Sequence, residues 1–210
     1  MKLYDFKLAP NPRRVRMFLA EKGIDMPMEQ INTREGEQFS EAFRAINPRG
    51  TVPALVLDDG TVLTESVAIC RYFEETNPEP ALFGRTPAEK AVVENWNRRA
   101  EIEGMMSVGD ALRNSLPMFA DRGLAGAPDG VPQIPALVER GKAMLLRWLG
   151  HLDKPLGETK FLAGDAFSVA DITAFISLET AKRVEFEVPE EFANVRRWLA
   201  DVAARPSAQA

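Results

Sequence analysis

The chain has 210 residues, of which 45% are apolar and 27% charged, enough for one large domain or two small ones with a buried core and unlike disordered, collagen-like or membrane compositions. Lys and Arg number 26 against 31 Asp and Glu, a net charge of −5, which repels phosphate backbones and argues against a nucleic-acid partner. A single cysteine, Cys70, and a single histidine, His151, exclude an internal disulfide framework, a CxxC redox pair and a multi-Cys/His zinc centre.

In chain order, Lys2 to Phe6 alternates as a strand, the Pro-rich LAPNP segment interrupts it, and Val15, Phe18 and Leu19 follow at helical spacing up to Gly23. Met28 to Ile31 reads as a second short strand, and Phe39, Phe43 and Ile46 as a helix stopped by Asn47-Pro48. Two apolar runs, Val52–Leu57 and Thr61–Leu63, flank Asp58-Asp59-Gly60 in hairpin fashion, and a helix from about Val67 ends at Asn77-Pro78. Residues 1–79 therefore read as a small α/β unit. After a linker rich in Pro the period-2 signal disappears, and helices are expected at about 87–116, 134–152, 169–183 and 190–204. The expected fold class is α/β followed by all-α, with the second unit spanning 86–210. No apolar run approaches the roughly 20 residues that cross a bilayer, and no basic-then-apolar leader opens the chain, so a cytoplasmic protein without membrane contact is expected.

Several residues can carry chemistry. Pro53 falls at the start of a strand that should be central, where proline forfeits a ladder hydrogen bond. Either the strand is an edge, or the Val52-Pro53 bond is cis and turns the Val52 N–H and C=O outward to pair with an extended ligand. Glu65-Ser66 lies between strand and helix, so the Ser66 hydroxyl and the first free N–H groups can hold an anion, or Ser66 simply caps the helix. Ser168 and Asp171 have capping-box spacing ahead of an apolar run and mark a helix start. Cys70, inside an apolar helix, reads as a buried structural thiol, and His151 as a residue at a helix end.

The segment INPRGTVPALVLDDGTVLTESVAICRYFEETNP resembles the N-terminal domain of cytosolic glutathione S-transferases, with their NPxGxVPxL motif, hairpin and ESxAIxxYL motif. RRVRMFLAEKGI is similar to that family's first helix, and FLAGDAFSVADITAF to a helix opening in its C-terminal domain. The resemblance covers nearly the whole chain and points to a bacterial theta- or Nu-like type. It implies a thioredoxin-like domain at 1–79, an all-helical domain contributing the acceptor site and dimer contacts, a homodimer, and reduced glutathione as co-substrate. On this resemblance Val52, with Pro53 behind it, pairs with the cysteinyl unit, Glu65 and Ser66 hold the γ-glutamyl amine and carboxylate, Gln38 faces the glycyl carboxylate, and Thr51 precedes the Val-Pro pair. Arg49 and Arg13 either add positive potential at the mouth or are exposed and solubilising.

Members of the family usually lower the glutathione thiol pKa with a Tyr, Ser or Cys after the first strand, whereas here that position falls on Ala9, or on Pro10 under a one-residue shift, and neither supplies a donor. Asn11 is the donor left in the loop, with Pro12 expected at the first helical position, and is assigned to the thiolate; a helix cap is its alternative role. Tyr4 sits too early and reads as a sheet residue. Met105, Met106 and Leu112 either line a pocket for an apolar acceptor or belong to the core. The expected reaction is attack of the glutathione thiolate on a small hydrophobic electrophile. Reduction of a disulfide or peroxide by the same thiolate, and a non-catalytic binding module, are the alternatives.

Overall fold

A computed structural model describes residues 1–210. The N-terminal unit is built on a four-stranded sheet of β1 (Lys2–Asp5), β2 (Met28–Gln30), β3 (Ala54–Val56) and β4 (Val62–Thr64) in the order β2-β1-β3-β4. β1 pairs parallel with β2, and antiparallel with β3 through Leu3 opposite Leu55 and Tyr4 opposite Ala54. The strand that follows Pro53 is therefore central, not an edge. The hairpin turn closes with Gly60 N–H donating to Leu57 C=O at 3.0 Å and Thr61 N–H to Asp59 Oδ1 at 2.9 Å, the Asx chemistry the sequence advertises.

Three helices complete the unit: α1 (Pro10–Lys22), α2 (Glu41–Ile46), capped by Ser40 Oγ accepting from Phe43 N–H, and α3 (Ser66–Thr76). α1 and α3 cover one sheet face, and Val15, Phe18 and Leu19 join Leu3, Leu55, Ile69 and Phe73 in a core below 3% exposure. Tyr4 stacks edge-on against Phe43, with ring centroids 5.8 Å apart, in a smaller cluster that includes Val52. It is a sheet residue, as its position implies.

The second unit is helical throughout: α4 (Pro87–Arg99), α5 (Met106–Ser115), α6 (Ala136–Leu156), α7 (Val169–Ala181) and α8 (Ala193–Ala203). The long helix expected at 87–116 is α4 and α5 joined by a π-helical segment, Ala100–Met105. Its Gly104 lies against Trp148, whose ring carbons a Cβ there would approach to 2.7 Å. α7 is buried nearly all round and packs on α1, α4 and the π segment, so it forms the middle of the molecule. Ser168 and Asp171 make the expected capping box, and the Asp171 carboxylate also accepts from Leu162 N–H at 3.0 Å and Trp198 Nε1 at 2.9 Å. α6 runs past the expected end at 152 to Leu156, with Pro155 inside its last turn. No helix is long and apolar enough to cross a membrane.

Candidate functional site

A cleft of about 240 Å³ separates the loop from Phe6 to Pro12, the Thr33–Phe39 turn and the Gly50–Val52 segment from the helical unit opposite. Met105, Val108, Leu112 and Phe119 form its apolar wall, while Asn11, Gln38, Thr51 and Val52 line the other side. Met105 and Leu112 thus face the cleft, but Met106 is 64% exposed and lies outside it.

The N-terminus of α1 points at this cleft, and its first turn differs from expectation. Pro10, not Pro12, is the first helical residue, so Asn11 stands inside the first turn and Ala9, without a side-chain hydrogen bond, is the N-cap. Pro10 and Pro12 have no N–H, and Arg13 N–H donates to Ala9 C=O at 3.2 Å. Asn11 consequently supplies the free backbone donor of the first turn together with its own side-chain amide. Its Oδ1 accepts from Arg14 Nη1 at 3.3 Å, which leaves Nδ2 as the outward group. The buried Arg14 is fixed in turn by Glu101 Oε1 at 2.8 Å and Thr173 Oγ1 at 2.9 Å. Two donors at the positive end of a helix dipole, with a guanidinium behind them, form a place for an anion.

The Val52-Pro53 peptide bond is cis. Val52 engages neither its N–H nor its C=O in a backbone hydrogen bond within the chain, while Pro53 is buried and does not reach the cleft. The segment is held by Asn47, whose Nδ2 donates to Thr51 C=O at 2.7 Å and Thr51 Oγ1 at 3.2 Å. Thr51 therefore lines the cleft with its oxygens already engaged. Gly50 adopts φ +58°, and a Cβ there would come within 2.9 Å of the Phe39 ring, so both backbone and space require glycine before Thr51.

Glu65 and Ser66 lie outside the cleft proper and are joined to it through Arg49, whose Nη1 donates to Glu65 Oε1 at 2.6 Å. Arg49 is thus exposed, as one of its two expected roles requires, and carries a surface ion pair to Glu65. Glu65 has φ +67°, rare for an L residue. Glu65 is the N-cap of α3 and Ser66 its buried first residue, and no side chain caps the turn. Ser66 is not the cap, and the N-terminus of α3 has no side-chain cap. Gln38, in a short 3₁₀ turn (Glu37–Phe39), is 6% exposed, and its buried Oε1 has no hydrogen-bond partner. A buried unpaired amide oxygen beside a cleft is costly unless a ligand completes it.

Other candidates lie elsewhere. Cys70 is buried in α3, and burial pushes its thiol up to about 12, so it is not a nucleophile. His151 sits within α6, not at its end, and its Nδ1 lies 2.9 Å from Glu103 Oε2, away from the cleft. Arg13 is half-buried and donates to Ala208 C=O at 2.8 Å, not exposed at the mouth. Sequence reasoning missed Arg14, although its place one turn after Asn11 was a usable signal. It also missed that Arg34, Arg113, Arg122 and Arg183 line the cleft while no Asp or Glu does.

Family models for the glutathione S-transferase N-terminal and C-terminal domains match residues 9–76 and 116–206. Glutathione S-transferase 2 of Saccharomyces cerevisiae is 37% identical over 99% of this chain and 87% of its own length. The crystal structure of Gtt2 from Saccharomyces cerevisiae superposes with a TM-score of 0.90 at 36% identity, covering 100% of this chain and 99% of that one. A glutathione S-transferase domain-containing protein of Marinobacter aquaeolei gives 0.89 at 39% identity, covering 99% of each chain.

Proposed function

Because the chain belongs to the glutathione S-transferase family, with a thioredoxin-like α/β domain followed by a helical one, we propose that it binds reduced glutathione and uses the thiolate against an electrophile. In this reading residues 1–79 hold the tripeptide and 86–210 supply the acceptor wall. The Val52 backbone pairs with the cysteinyl unit, Glu65 holds the γ-glutamyl amine, and Ser66 with the α3 N-terminus holds its carboxylate. Gln38 meets the glycyl end, its unpaired Oε1 accepting from a ligand N–H and its side-chain N–H left to donate to the carboxylate. Asn11 is the catalytic residue, donating from Nδ2 and its backbone N–H to the sulfur.

The observation that carries this reading is the first turn of α1, where two prolines leave Asn11 as the donor facing the cleft. A free thiol has a pKa of about 8.5. A hydrogen bond to a charged group contributes about 1.5–3 kcal/mol, or about 1–2 pK units at 1.36 kcal/mol each. One such bond plus the helix dipole brings the thiol near neutrality without a hydroxyl at position 9. The thiol proton goes to solvent, the sulfur forms a bond to the electrophilic carbon, and the leaving group departs with its electron pair.

The same thiolate can attack a disulfide, forming a mixed disulfide and releasing the second sulfur as thiolate. The Asn-bearing loop without Tyr, Ser or Cys at Ala9 favours this as the second reading. Exposed Val92, Ile102 and Met106 on the α4–α5 face support a homodimer. Calorimetric titration with reduced and oxidised glutathione, with thiolate absorbance followed against pH, tests the proposal. Binding of the reduced form with a thiol pKa below that of free glutathione supports it, a preference for the oxidised form favours disulfide reduction, and binding of neither leaves a non-catalytic module.

A further inference from the structure

The cleft carries arginines that make no ion pair within the chain, although Arg34 and Arg183 also border a second pocket that holds Glu179. In a protein of net charge −5, this cleft has Arg34, Arg113, Arg122 and Arg183 on its walls and no carboxylate. None of the four has an acidic group within 4.0 Å, whereas Arg14, Arg16, Arg49 and Arg205 elsewhere are all ion-paired. Their recorded partners are carbonyls. Arg113 Nη1 donates to Arg122 C=O at 3.0 Å, Arg122 to Thr33 and Arg34 C=O at 2.7 and 3.2 Å, and Arg183 to Leu8 C=O at 3.5 Å.

They also stand as like-charged neighbours. Burial first, then the proximity of Arg122, lowers the pKa of Arg113 from its ordinary value, and burial with the proximity of Arg34 does the same for Arg183. Arg113 and Arg122 are half-buried, so like charges there without a counter-ion are unfavourable on their own, while Arg34 and Arg183 are exposed and their repulsion is partly screened by solvent. An anionic ligand relieves both costs at once. Arg113 follows Val108 and Leu112 on α5 and lies 5.0 Å from the centre of the Phe119 ring, so cationic and apolar surface adjoin.

We propose that the acceptor side of this cleft selects electrophiles that join an apolar body to a carboxylate, with Arg113 and Arg183 as the residues that recognise the anion. A guanidinium fork matches a planar carboxylate in shape as well as charge. The inference rests on the glutathione reading given above. There the two carboxylates of the tripeptide go to the α3 N-terminus and to the Gln38 turn, so Arg113 and Arg183, which come from α5 and the 3₁₀ turn after α7, meet a third.

A matched pair of acceptors tests it: 4-chloro-3,5-dinitrobenzoate and its methyl ester. Both react by C–S bond formation at the chlorine-bearing carbon with departure of chloride, and each enzymatic kcat/KM is divided by the uncatalysed rate constant with glutathione. The expected result is a preference for the acid of about tenfold or more, the size of one charge-assisted hydrogen bond. Arg183→Gln and, independently, Arg113→Gln should bring the acid-to-ester ratio toward one. An equal or reversed ratio in the wild-type protein overturns the proposal, as does loss of glutathione affinity in the arginine variants, which would assign these residues to the tripeptide's own carboxylates. If the protein turns over neither compound, conjugation of aryl halides is what has failed, and the glutathione calorimetry described above shows separately whether the glutathione reading stands. Calorimetry of the unreactive 3,5-dinitrobenzoate against its methyl ester, without glutathione, then decides the anion question: tighter acid binding that weakens in Arg183→Gln upholds it, and equal binding overturns it.

Discussion

Arg14 holds Asn11. Its Nη1 donates to Asn11 Oδ1 at 3.3 Å while Nη2 is committed to Glu101 Oε1 at 2.8 Å and Thr173 Oγ1 at 2.9 Å. The side chain at the proposed sulfur site is thereby oriented from the helical domain, since Glu101 comes from the π-helical segment and Thr173 from α7. Thr173 donates onward to Asn97 Oδ1 at 2.7 Å. The network fixes which end of the Asn11 amide faces the cleft.

Arg14→Lys keeps the charge but loses the fork that serves three acceptors at once. With Asn11 no longer oriented, the thiol pKa of bound glutathione should rise by about 0.5–1 unit, a fraction of the effect of one charged hydrogen bond. The acid limb of the profile of kcat/KM for the acceptor, taken at saturating glutathione, should move up in pH with it. A residue that merely joined the domains would lower the melting temperature and leave that limb in place, so the pH profile separates the two roles.

Asn11→Asp offers a test in which stability and activity part company. A carboxylate in the first turn of α1 interacts favourably with the helix dipole, worth about 0.3–1 kcal/mol, so the melting temperature should hold or rise. Facing the sulfur, the same charge repels a thiolate and replaces an amide donor, and turnover should fall by about tenfold or more. Thermal denaturation and single-turnover conjugation on one preparation check both halves. A fully active Asn11→Asp protein would remove Asn11 from the mechanism.

Much of this architecture is legible as local chemistry. Asp59-Gly60 specifies the hairpin and Ser168 and Asp171 the start of α7, because each feature depends on residues a few positions apart, whereas Val52-Pro53 left an edge strand and a cis bond open until the pairing of β3 with β1 was known. The start of α1 was displaced because Pro10 and Pro12 both suit a first turn, and their spacing alone does not choose between them. What the sequence hides is assembled from far apart: Arg14 meets Glu101 across 87 positions and Thr173 across 159. The cleft arginines on α5 and after α7 carry no shared motif, and the pairing of Arg49 with Glu65 appears only once the hairpin brings them together. Their roles follow from packing.

Cys70 should be silent to thiol chemistry in the folded protein. It is 1% exposed, and burial raises its thiol to about 12, so almost no thiolate exists at neutral pH. A disulfide reagent at pH 8 should therefore label the native chain only as fast as it opens, while denaturant should expose the single thiol completely. Cys70→Ala should keep glutathione binding and turnover, at a stability cost of about 1 kcal/mol for the small cavity. Rapid labelling in the native state, or loss of turnover in that variant, would contradict a structural role.

Glu21 ties the C-terminal segment to α1 and makes stability depend on acid pH. Arg205 Nη2 approaches Glu21 Oε2 at 2.6 Å, its Nε reaches Oε1 at 2.8 Å, and Ser207 Oγ also donates to the carboxylate. Burial pushes the carboxyl up, but the hydrogen bonds from Arg205 and Ser207 and the charge of Arg205 outweigh it, and the pKa lies below the ordinary 4.5. A carboxylate whose folded pKa is depressed contributes stability above its unfolded pKa and loses it as pH falls through the folded one. The stabilisation should therefore be complete at pH 7 and disappear progressively below about pH 4.3, the unfolded value for glutamate. In Glu21→Gln, which keeps the size but not the charge, the melting temperature should be lower at pH 7 and fall less steeply between pH 5 and pH 3 than in the wild type, the two curves converging at the acid end. Parallel curves would mean that the pair with Arg205 adds no pH-linked stability.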